Sequence, residues 1–396
     1  MTRTVGTTAR GIRAPIIKKG DDIINIVVDC IINSSESEGY EINNKDVIGV
    51  TESLIARAQG NYVNMEEITK DINNKYKGDI GVVFPILSRN RFSLILKAIA
   101  ATEKKIYLML NYPSDEVGNP LMDIDKMDSF NINPYTDNLT EKEYRELFGE
   151  KVIHPFTGID YVKVYKDLAV NDNIEIHLTN NPTTVLKYTK NVLLANVHDR
   201  KRLMKILKNA GAETIYGLDG ILNSPVSDGS GYNPEYGLYG SNLATETHLK
   251  LFPRDCQHYV DEIQKEMKRR TGKNIEVMVF GDGAFKDPIG EIWELADPVV
   301  SPGYTKGLRG TPNEVKIKYL ADTELQDLKG EEIENAIKEK IINKKDDLIS
   351  KKESIGTTPR QITDLLGSLC DLTSGSGDKG TPIVYIQGYF DNYATE

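Results

Sequence analysis

The chain contains 396 residues and carries a formal net charge of −10, with 39% hydrophobic and 27% charged residues. These values are typical of a globular protein with one large core or two medium ones. The negative charge argues against nucleic acid or an anionic membrane as the main partner. No apolar run approaches the roughly 20 residues that a membrane span needs, and the N-terminus lacks the apolar segment of a signal peptide. The three cysteines are far apart, which is typical of a reducing compartment, so we expect a cytoplasmic protein.

The N-terminal part of the sequence alternates between helical and strand-like patterns. A helix is predicted to start at Asp21 and to end before a polar loop over 34–44. Apolar periodicity then predicts strands and helices in alternation, with strands over 46–52, 80–87 and 105–110 and helices over 65–76 and 92–102. Residues 113–160 are rich in Asp, Asn, Pro and Ser, which indicates an insertion or lid. We therefore divide the chain into three parts: an N-terminal part (1–112), an inserted region (113–232) and a C-terminal part (233–396).

The remaining sequence continues the alternation. Its patterns predict helices over 199–211 and 359–372, and strands over 213–218 and 382–387. They also predict a highly charged helix or helix pair over 324–350. A long segment over 223–240 is rich in Gly, Pro, Ser and Tyr, which is typical of binding loops or disordered segments. Together the elements predict an α/β or mixed α+β fold.

An acidic turn follows one of the buried strand patterns. A strand is predicted over 277–280, and it leads into a Gly-Asp-Gly turn centred on Asp282. In the helix pattern before this strand, Asp255 can serve as the N-cap, an apolar stripe follows, and Gly272 ends the helix. A carboxylate on such a turn suits a phosphate or metal site, although a solvated turn aspartate fits the same pattern. A second helix and strand end similarly at Asp219, so the two aspartates could share one metal or could both be ordinary polar turn residues.

Carboxylates on turns are better candidates for chemistry than the histidines or serines of this sequence. It contains no Gly-x-Ser-x-Gly or His-Glu-x-x-His motif, and its five histidines show no paired spacing. Carboxylates combined with glycine turns suit Mg²⁺ or Mn²⁺ bound together with a nucleotide. Arg57, Lys286 and Arg309 could neutralise phosphate charge, or could equally pair with surface carboxylates.

Four stretches of the sequence carry a resemblance to a known family. Residues 14–22 contain Ala-Pro-Ile-Ile and then Gly-Asp-Asp, and residues 46–60 read Asp-Val-Ile-Gly-Val-Thr-Glu-Ser-Leu-Ile-Ala-Arg-Ala-Gln-Gly. Residues 251–288 contain Leu-Phe-Pro-Arg-Asp, a helix, a strand and the Asp282 turn. Residues 364–388 contain an aspartate-led helix, a glycine loop and a strand. In this order the stretches resemble the nucleotide-dependent γ-glutamyl ligase family of the deazaflavin coenzyme F-420. The family's mixed α/β scaffold and intertwined homodimer are implied by the resemblance.

The resemblance also implies site residues. The implied nucleotide contacts are Ala14, Pro15, Ile16, Ile17, Ala56, Arg57, Asn242, Gly283 and Ser376. Arg57 and Asp282 are implied as the catalytic residues, and Asp282 as a ligand of Mg²⁺ or Mn²⁺. Tyr239 stands where the family has a second metal-binding aspartate, so Asp228 or Asp219 would have to supply the second carboxylate.

The reaction is likewise implied by the resemblance. A substrate carboxylate would attack the γ-phosphate of GTP or ATP, and the amine of glutamate or another amino acid would displace phosphate from the acyl phosphate. We therefore expect a γ-glutamyl ligase that acts on a carboxylate-bearing small molecule and is a homodimer. One alternative is a catalytically degenerate nucleotide- or metabolite-binding protein on the same scaffold, which Tyr239 favours. Another is a different phosphoryl-transfer or hydrolase activity centred on 113–232.

Overall fold

The computed structural model describes residues 4–115, 118, 120–154, 158–197, 199–281, 284–286, 293–295, 301–348, 351–355, 360–375 and 377–395. The predicted mixed α/β class is confirmed. The described strands are β1 (Thr8–Ile12), β2 (Val47–Thr51), β3 (Tyr62–Asn64), β4 (Ile80–Val83), β5 (Ile106–Leu110), β6 (Leu139–Thr140), β7 (Ile174–Leu178), β8 (Asn191–Leu194), β9 (Thr214–Gly217), β10 (Asn242–Thr245), β11 (His248–Lys250), β12 (Glu276–Phe280), β13 (Ala284–Lys286), β14 (Trp293–Leu295), β15 (Gly303–Tyr304) and β16 (Ile383–Gln387).

The described α-helices lie between these strands and are often their direct continuation. They are α1 (Ile23–Glu38), α2 (Glu52–Gln59), α3 (Met65–Lys75), α4 (Arg91–Ala100), α5 (Ile124–Ser129), α6 (Glu141–Phe148), α7 (Tyr161–Lys166), α8 (Arg200–Asn209), α9 (Cys256–Thr271), α10 (Ile317–Asp322), α11 (Glu331–Ile342) and α12 (Ile362–Ser374). None of the helices in these described residues is long and apolar enough to cross a membrane.

The chain forms two compact units. Unit 1 comprises Met1–Ala58, Asp255–Gly281 and Val300–Glu396, and unit 2 comprises Gln59–Arg254 and Asp282–Val299. The boundaries between these units follow Ala58 and Arg254, because β4 and β5 pair in one sheet with later strands of the chain. The division at 112 and 232, with 113–232 as an insertion or lid relative to the family scaffold, stays a prediction.

Unit 1 is built on a five-stranded sheet in the order β1-β16-β2-β12-β15, in which β2 and β12 are parallel. The period-two alternation of these strands sends one set of apolar side chains to each face. One face, which includes Ile48 and Val277, packs against α1 and α9. The other face, which includes Val47 and Met278, packs against α12. The sheet is therefore buried on both faces.

Helix α1 differs from its prediction at both ends. Asp22, not Asp21, caps it, because the Asp22 side chain accepts from the Asn25 backbone N–H. The helix continues to Glu38, so the loop expected over 34–44 begins five residues later than predicted. Gly39, with φ at +67°, ends the helix and donates its N–H to the Ser35 carbonyl. A glycine in the left-handed region is a stronger stop than a run of polar residues.

Unit 2 is built on a six-stranded sheet in the order β6-β7-β5-β4-β8-β9. Strands β7, β5, β4, β8 and β9 are parallel, and the edge strand β6 is antiparallel. Counted along the chain, the parallel strands have the spatial order 3-2-1-4-5, which is a doubly wound arrangement. Helix α4 packs on one face, and α8 packs on the opposite face. The winding reverses between β4 and β8, and we call this place the switch point.

Candidate functional site

The junction between β2 and α2 positions the first group of predicted site residues in unit 1. Helix α2 begins at Glu52, directly after Thr51, so no loop separates it from the strand. Ala56 is fully buried, whereas Arg57 is exposed. Arg57 Nε and Nη2 both donate to the Ile17 carbonyl oxygen at 3.3 Å. The guanidinium group is thereby held against the N-terminal segment while its surface remains open to solvent.

The N-terminal segment also meets the C-terminal glycine loop. The Ala14 N–H donates to the Gly380 carbonyl at 3.1 Å, and the Gly20 N–H donates to the Ala58 carbonyl at 2.8 Å. Ile17 is buried, whereas Ile16 is 83% exposed. Unit 1 therefore brings together parts of three stretches that carry the resemblance: residues 14–22, residues 46–58 and the loop before β16.

Three predicted site residues, Asp282, Gly283 and Ser376, lie outside the described residues, so their roles stay predictions. The strand before Asp282 is described, and β12 pairs in parallel with β2 so that Phe280 lies opposite Thr51. The carboxyl ends of both strands are therefore at one edge of the sheet in unit 1. Gly281, which follows β12, is buried.

Glu52 is a candidate that sequence reasoning missed. It follows β2 at the sheet edge just described, and it is only 1% exposed. Buried carboxylates are rare unless they are paired or bind a metal. The available signal was an acidic residue placed immediately after a buried strand, in Val-Thr-Glu, which is the same kind of signal that drew attention to Asp282.

Asn242 and Tyr239 lie in unit 2. Asn242 opens β10, pairs with Lys250 of β11 and is half-buried. Tyr239 is 3% exposed, and its hydroxyl donates to the Asn196 carbonyl at 2.7 Å. The Arg200 guanidinium lies 5.1 Å from the centre of the Tyr239 ring. The phenol at this position therefore ties down the loop after β8.

The two proposed replacement carboxylates are also in unit 2. Asp228 is exposed within the segment over 223–240, and Asp219 is half-buried in a turn after β9. In the parts of the chain that the structure describes, no group of three or more His, Cys, Asp or Glu side chains is placed to hold a metal ion. A site that includes Asp282 lies beyond this observation, so the predicted metal stays a prediction.

Comparison with known proteins bears on the whole chain. A family model described as F420-0:Gamma-glutamyl ligase matches residues 11–388. The match includes all four stretches that carry the resemblance, and its range also spans residues 113–232. No curated protein matches the chain significantly.

Proposed function

Because the chain belongs to the F420-0:gamma-glutamyl ligase family, we propose that it joins an amino acid to a carboxylate-bearing small molecule in a nucleotide- and metal-dependent reaction. Glutamate is the proposed amino acid, and GTP or ATP is the proposed nucleotide. We further propose that the protein acts in the cytoplasm as a homodimer. These finer statements extend the family assignment, which by itself supports a γ-glutamyl ligase with small-molecule substrates.

The observation that carries the proposal is the set of hydrogen bonds that hold Arg57 against the N-terminal segment. Its guanidinium is fixed by the Ile17 carbonyl, and the segment that contains Ile17 is tied to the glycine loop through Ala14 and Gly380. A guanidinium has five N–H donors, so donors remain for a phosphate or carboxylate after the bonds to Ile17 are made. An arginine and a glycine loop that are tied to the same segment suit the binding of an anion such as a phosphate group.

In the proposed reaction, a carboxylate oxygen of the substrate attacks the γ-phosphorus, and the nucleoside diphosphate leaves. The amine of glutamate then attacks the acyl carbon, loses a proton and expels inorganic phosphate, which leaves an amide. Arg57 would hold the transferring phosphate or the substrate carboxylate. Both steps need positioning and charge stabilisation rather than a nucleophilic side chain.

A divalent metal fits the oxygen donors available in the sequence. Carboxylates are the preferred ligands of Mg²⁺ and Mn²⁺. Asp282 follows β12 by two residues, and Asp228 lies in the segment over 223–240. We propose these two carboxylates as the ligands. When bound, the ion would neutralise the charge of the nucleotide phosphates.

A second candidate function is a nucleotide- or metabolite-binding protein without catalysis. Tyr239 favours it, because this residue is buried and hydrogen-bonded to Asn196 instead of offering a carboxylate. Such a protein would bind the nucleotide without forming an acyl phosphate.

The test is calorimetric titration with GTP and with ATP, each with and without Mg²⁺ or Mn²⁺. We expect metal-dependent binding that Asp282→Asn weakens at least tenfold, because the variant loses a charged metal ligand. Asp322→Asn is the matched control, since Asp322 is an exposed aspartate at the end of α10, and it should bind like the wild type. Phosphate release that requires both glutamate and a carboxylate acceptor would then establish the ligase reaction.

Two outcomes would contradict the proposal. Absence of nucleotide binding under every condition would contradict the proposed dependence of the reaction on a nucleotide. Binding that is the same in Asp282→Asn and in the wild type, with or without metal, would favour the non-catalytic alternative.

A further inference from the structure

Unit 1 contains a polar cavity at the edge of its sheet where β1 and β2 begin and β16 ends. Gln387, the last residue of β16, lies opposite Thr8 of β1, and β16 also pairs in antiparallel fashion with β2. The cavity is bordered by the loop before β2 and by the segment after β16, and we call it the Asp46 cavity. Arg57 and Asp282 follow the opposite ends of β2 and β12 in the chain, so the five residues of β2 separate the two edges.

The Asp46 cavity has the size of a small-molecule site but a more polar lining. Its volume is about 420 Å³, and small-molecule sites measure roughly 300–1,000 Å³. Most such sites are lined mainly by apolar side chains, whereas amide, carboxylate and hydroxyl side chains predominate here. A ligand that fills this cavity must therefore be polar over most of its surface.

Asp46 is a buried carboxylate with one oxygen left for a ligand. It lines the cavity and is 3% exposed. Its Oδ2 accepts from the Asn43 N–H at 2.8 Å and from the Tyr385 hydroxyl. Among the residues that the structure describes, none donates a hydrogen bond to Oδ1 or forms an ion pair with Asp46. A buried carboxylate oxygen without a partner is costly, so Oδ1 calls for a donor from the occupant of the cavity.

The surroundings of Asp46 hold this acceptor in place. Tyr385 is fully buried, and burial raises the pKa of its hydroxyl, so the proton donated to Asp46 is retained at neutral pH. The Lys45 backbone is in the left-handed region, with φ at +67°, and its N–H donates to the Asn274 carbonyl at 2.7 Å. The Asp46 carbonyl in turn accepts from the Glu276 N–H at 2.8 Å. A ligand would therefore not have to order this loop when it binds.

Donor groups are available on the same lining. Asn44 Oδ1 accepts from the Asn274 N–H at 2.8 Å, which leaves the Asn44 NH₂ group without a partner in the described parts of the chain. Asn392 Oδ1 accepts from the Ala394 N–H at 2.9 Å, and its NH₂ group is left in the same way. The Lys45 ammonium group forms no ion pair with a described residue. The cavity thus offers donors as well as an acceptor.

This mixture of donors and an acceptor favours hydroxyl groups as the ligand chemistry. A hydroxyl both donates and accepts, so it can serve the Asp46 carboxylate and the amide NH₂ groups at once. An ammonium group only donates, and it would meet the positive charge of Lys45 on the same lining. A phosphate or carboxylate group only accepts, and it would meet the negative charges of Asp46 and Asp391. Phe390 also lines the cavity, and an aromatic ring can pack against the C–H groups of a sugar ring.

We propose that the Asp46 cavity binds a small polyhydroxylated molecule, a monosaccharide or a sugar alcohol, and that Asp46 Oδ1 accepts from one of its hydroxyl groups. Asn44 and Asn392 donate to oxygen atoms of the same molecule. This inference goes beyond the proposed ligase function, because it uses neither Arg57 nor Asp282 and lies at the other edge of the sheet.

The test is calorimetric titration of the full chain with D-ribose and with D-glucose, in a buffer free of other polyols. We expect saturable binding of at least one of the two sugars. Asn44→Asp should weaken this binding at least fivefold, because aspartate keeps the acceptor for the Asn274 N–H but exchanges the NH₂ donor for a second acceptor. The matched control is Asn33→Asp, the same exchange at an exposed position of α1 outside the cavity, which should change binding less than twofold.

Asp46→Asn tests the acceptor itself. This variant keeps one oxygen for the Tyr385 hydroxyl and the Asn43 N–H but presents an NH₂ group in place of Oδ1, so binding at least tenfold weaker is expected. Circular dichroism shows whether the variant is folded. If it is not, Asn44→Asp and its control carry the test.

Separate outcomes decide this inference and the ligase proposal. Asp282→Asn should bind the sugar like the wild type, and Asn44→Asp should bind the nucleotide like the wild type. The inference would be overturned by absence of saturable binding of both sugars, by equal binding in Asn44→Asp and Asn33→Asp, by undiminished binding in folded Asp46→Asn, or by loss of sugar binding in Asp282→Asn. Absence of nucleotide binding alone would contradict only the ligase proposal.

Discussion

Replacement of Asp160 by asparagine is expected to destabilise the protein by about 3–5 kcal/mol, because the substitution leaves a largely buried arginine without its counter-charge. Asp160 Oδ2 accepts from Arg145 Nη1 at 2.7 Å, and Oδ1 accepts from Arg145 Nη2 at 3.0 Å. The two side chains are 6% and 17% exposed. Asp160 also caps α7 by accepting from the Lys163 N–H, and it accepts from the Val152 N–H. One carboxylate thus joins α6, α7 and the segment between them.

This contribution depends on pH in a defined direction. Burial alone would raise the pKa of Asp160, but the hydrogen bonds from Arg145, Lys163 and Val152 outweigh it and hold the pKa below that of an ordinary aspartate. A carboxyl group with a lowered pKa stabilises the fold fully above its unfolded pKa of about 3.9. The contribution is lost as the pH falls through the lower folded pKa. The difference between wild type and Asp160→Asn should therefore be complete at pH 7 and narrow only below about pH 4.

Urea denaturation of both proteins at pH 7 and at acidic pH checks this expectation. Asp172→Asn is the matched control, because Asp172 also has a lysine partner, at 2.8 Å from Lys166, but is 81% exposed. Exposed pairs of this kind contribute about 0–1 kcal/mol. Equal effects of the two substitutions at pH 7, or a difference for Asp160→Asn that persists unchanged in acid, would contradict the expectation.

Elements with local signals could be predicted from the sequence. The helix expected from Asp255 to Gly272 is α9, and its apolar stripe is buried as expected. Gly272 ends it in the left-handed conformation. Asp255 stands at the predicted N-cap position, but its side chain makes no capping hydrogen bond and its backbone is in the left-handed conformation. Periodicity reports which face is buried, whereas the cap depends on backbone geometry that the pattern does not contain.

The order of strands could not be predicted in this way. Strands β4 and β8 are neighbours in the sheet although more than a hundred residues separate them, and β7 lies at a distance from β8 although it precedes it directly. Such pairings are set by how helices cover both faces of the sheet, not by any single segment. For this reason the proximity of both Arg91 and Arg200 to Tyr239 became visible only in the structure.

The candidate ligase site was partly predictable. The resemblance selected Ala14, Ile17 and Arg57, which the structure places together, although no local pattern links residues forty positions apart. It passed over Glu52, whose burial depends on the direct passage from β2 into α2. A family resemblance identifies positions, while burial and mutual contact identify what those positions can do.

Replacement of Gly49 by alanine is expected to destabilise the protein by about 1–3 kcal/mol through overpacking. Gly49 lies in β2 between β16 and β12, and α12 covers this face. A Cβ atom at Gly49 would overlap the sulfur of Cys370 and would lie 3.3 Å from the Phe280 ring. Burial raises the pKa of the Cys370 thiol to about 12, so the sulfur is uncharged at neutral pH and the conflict is steric.

A double-mutant cycle tests this cause. Cys370→Ala removes the overlapping sulfur, so Gly49→Ala combined with Cys370→Ala should be more stable than the sum of the single effects by about 1 kcal/mol or more. Gly6→Ala, where a Cβ meets nothing within 4 Å, is the control and should be nearly neutral. Strict additivity in urea denaturation would show that the sulfur is not the obstacle. Because β2 leads directly into Glu52 and Arg57, nucleotide binding should weaken in Gly49→Ala and recover in the double variant, which connects the packing of this strand to the proposed ligase site.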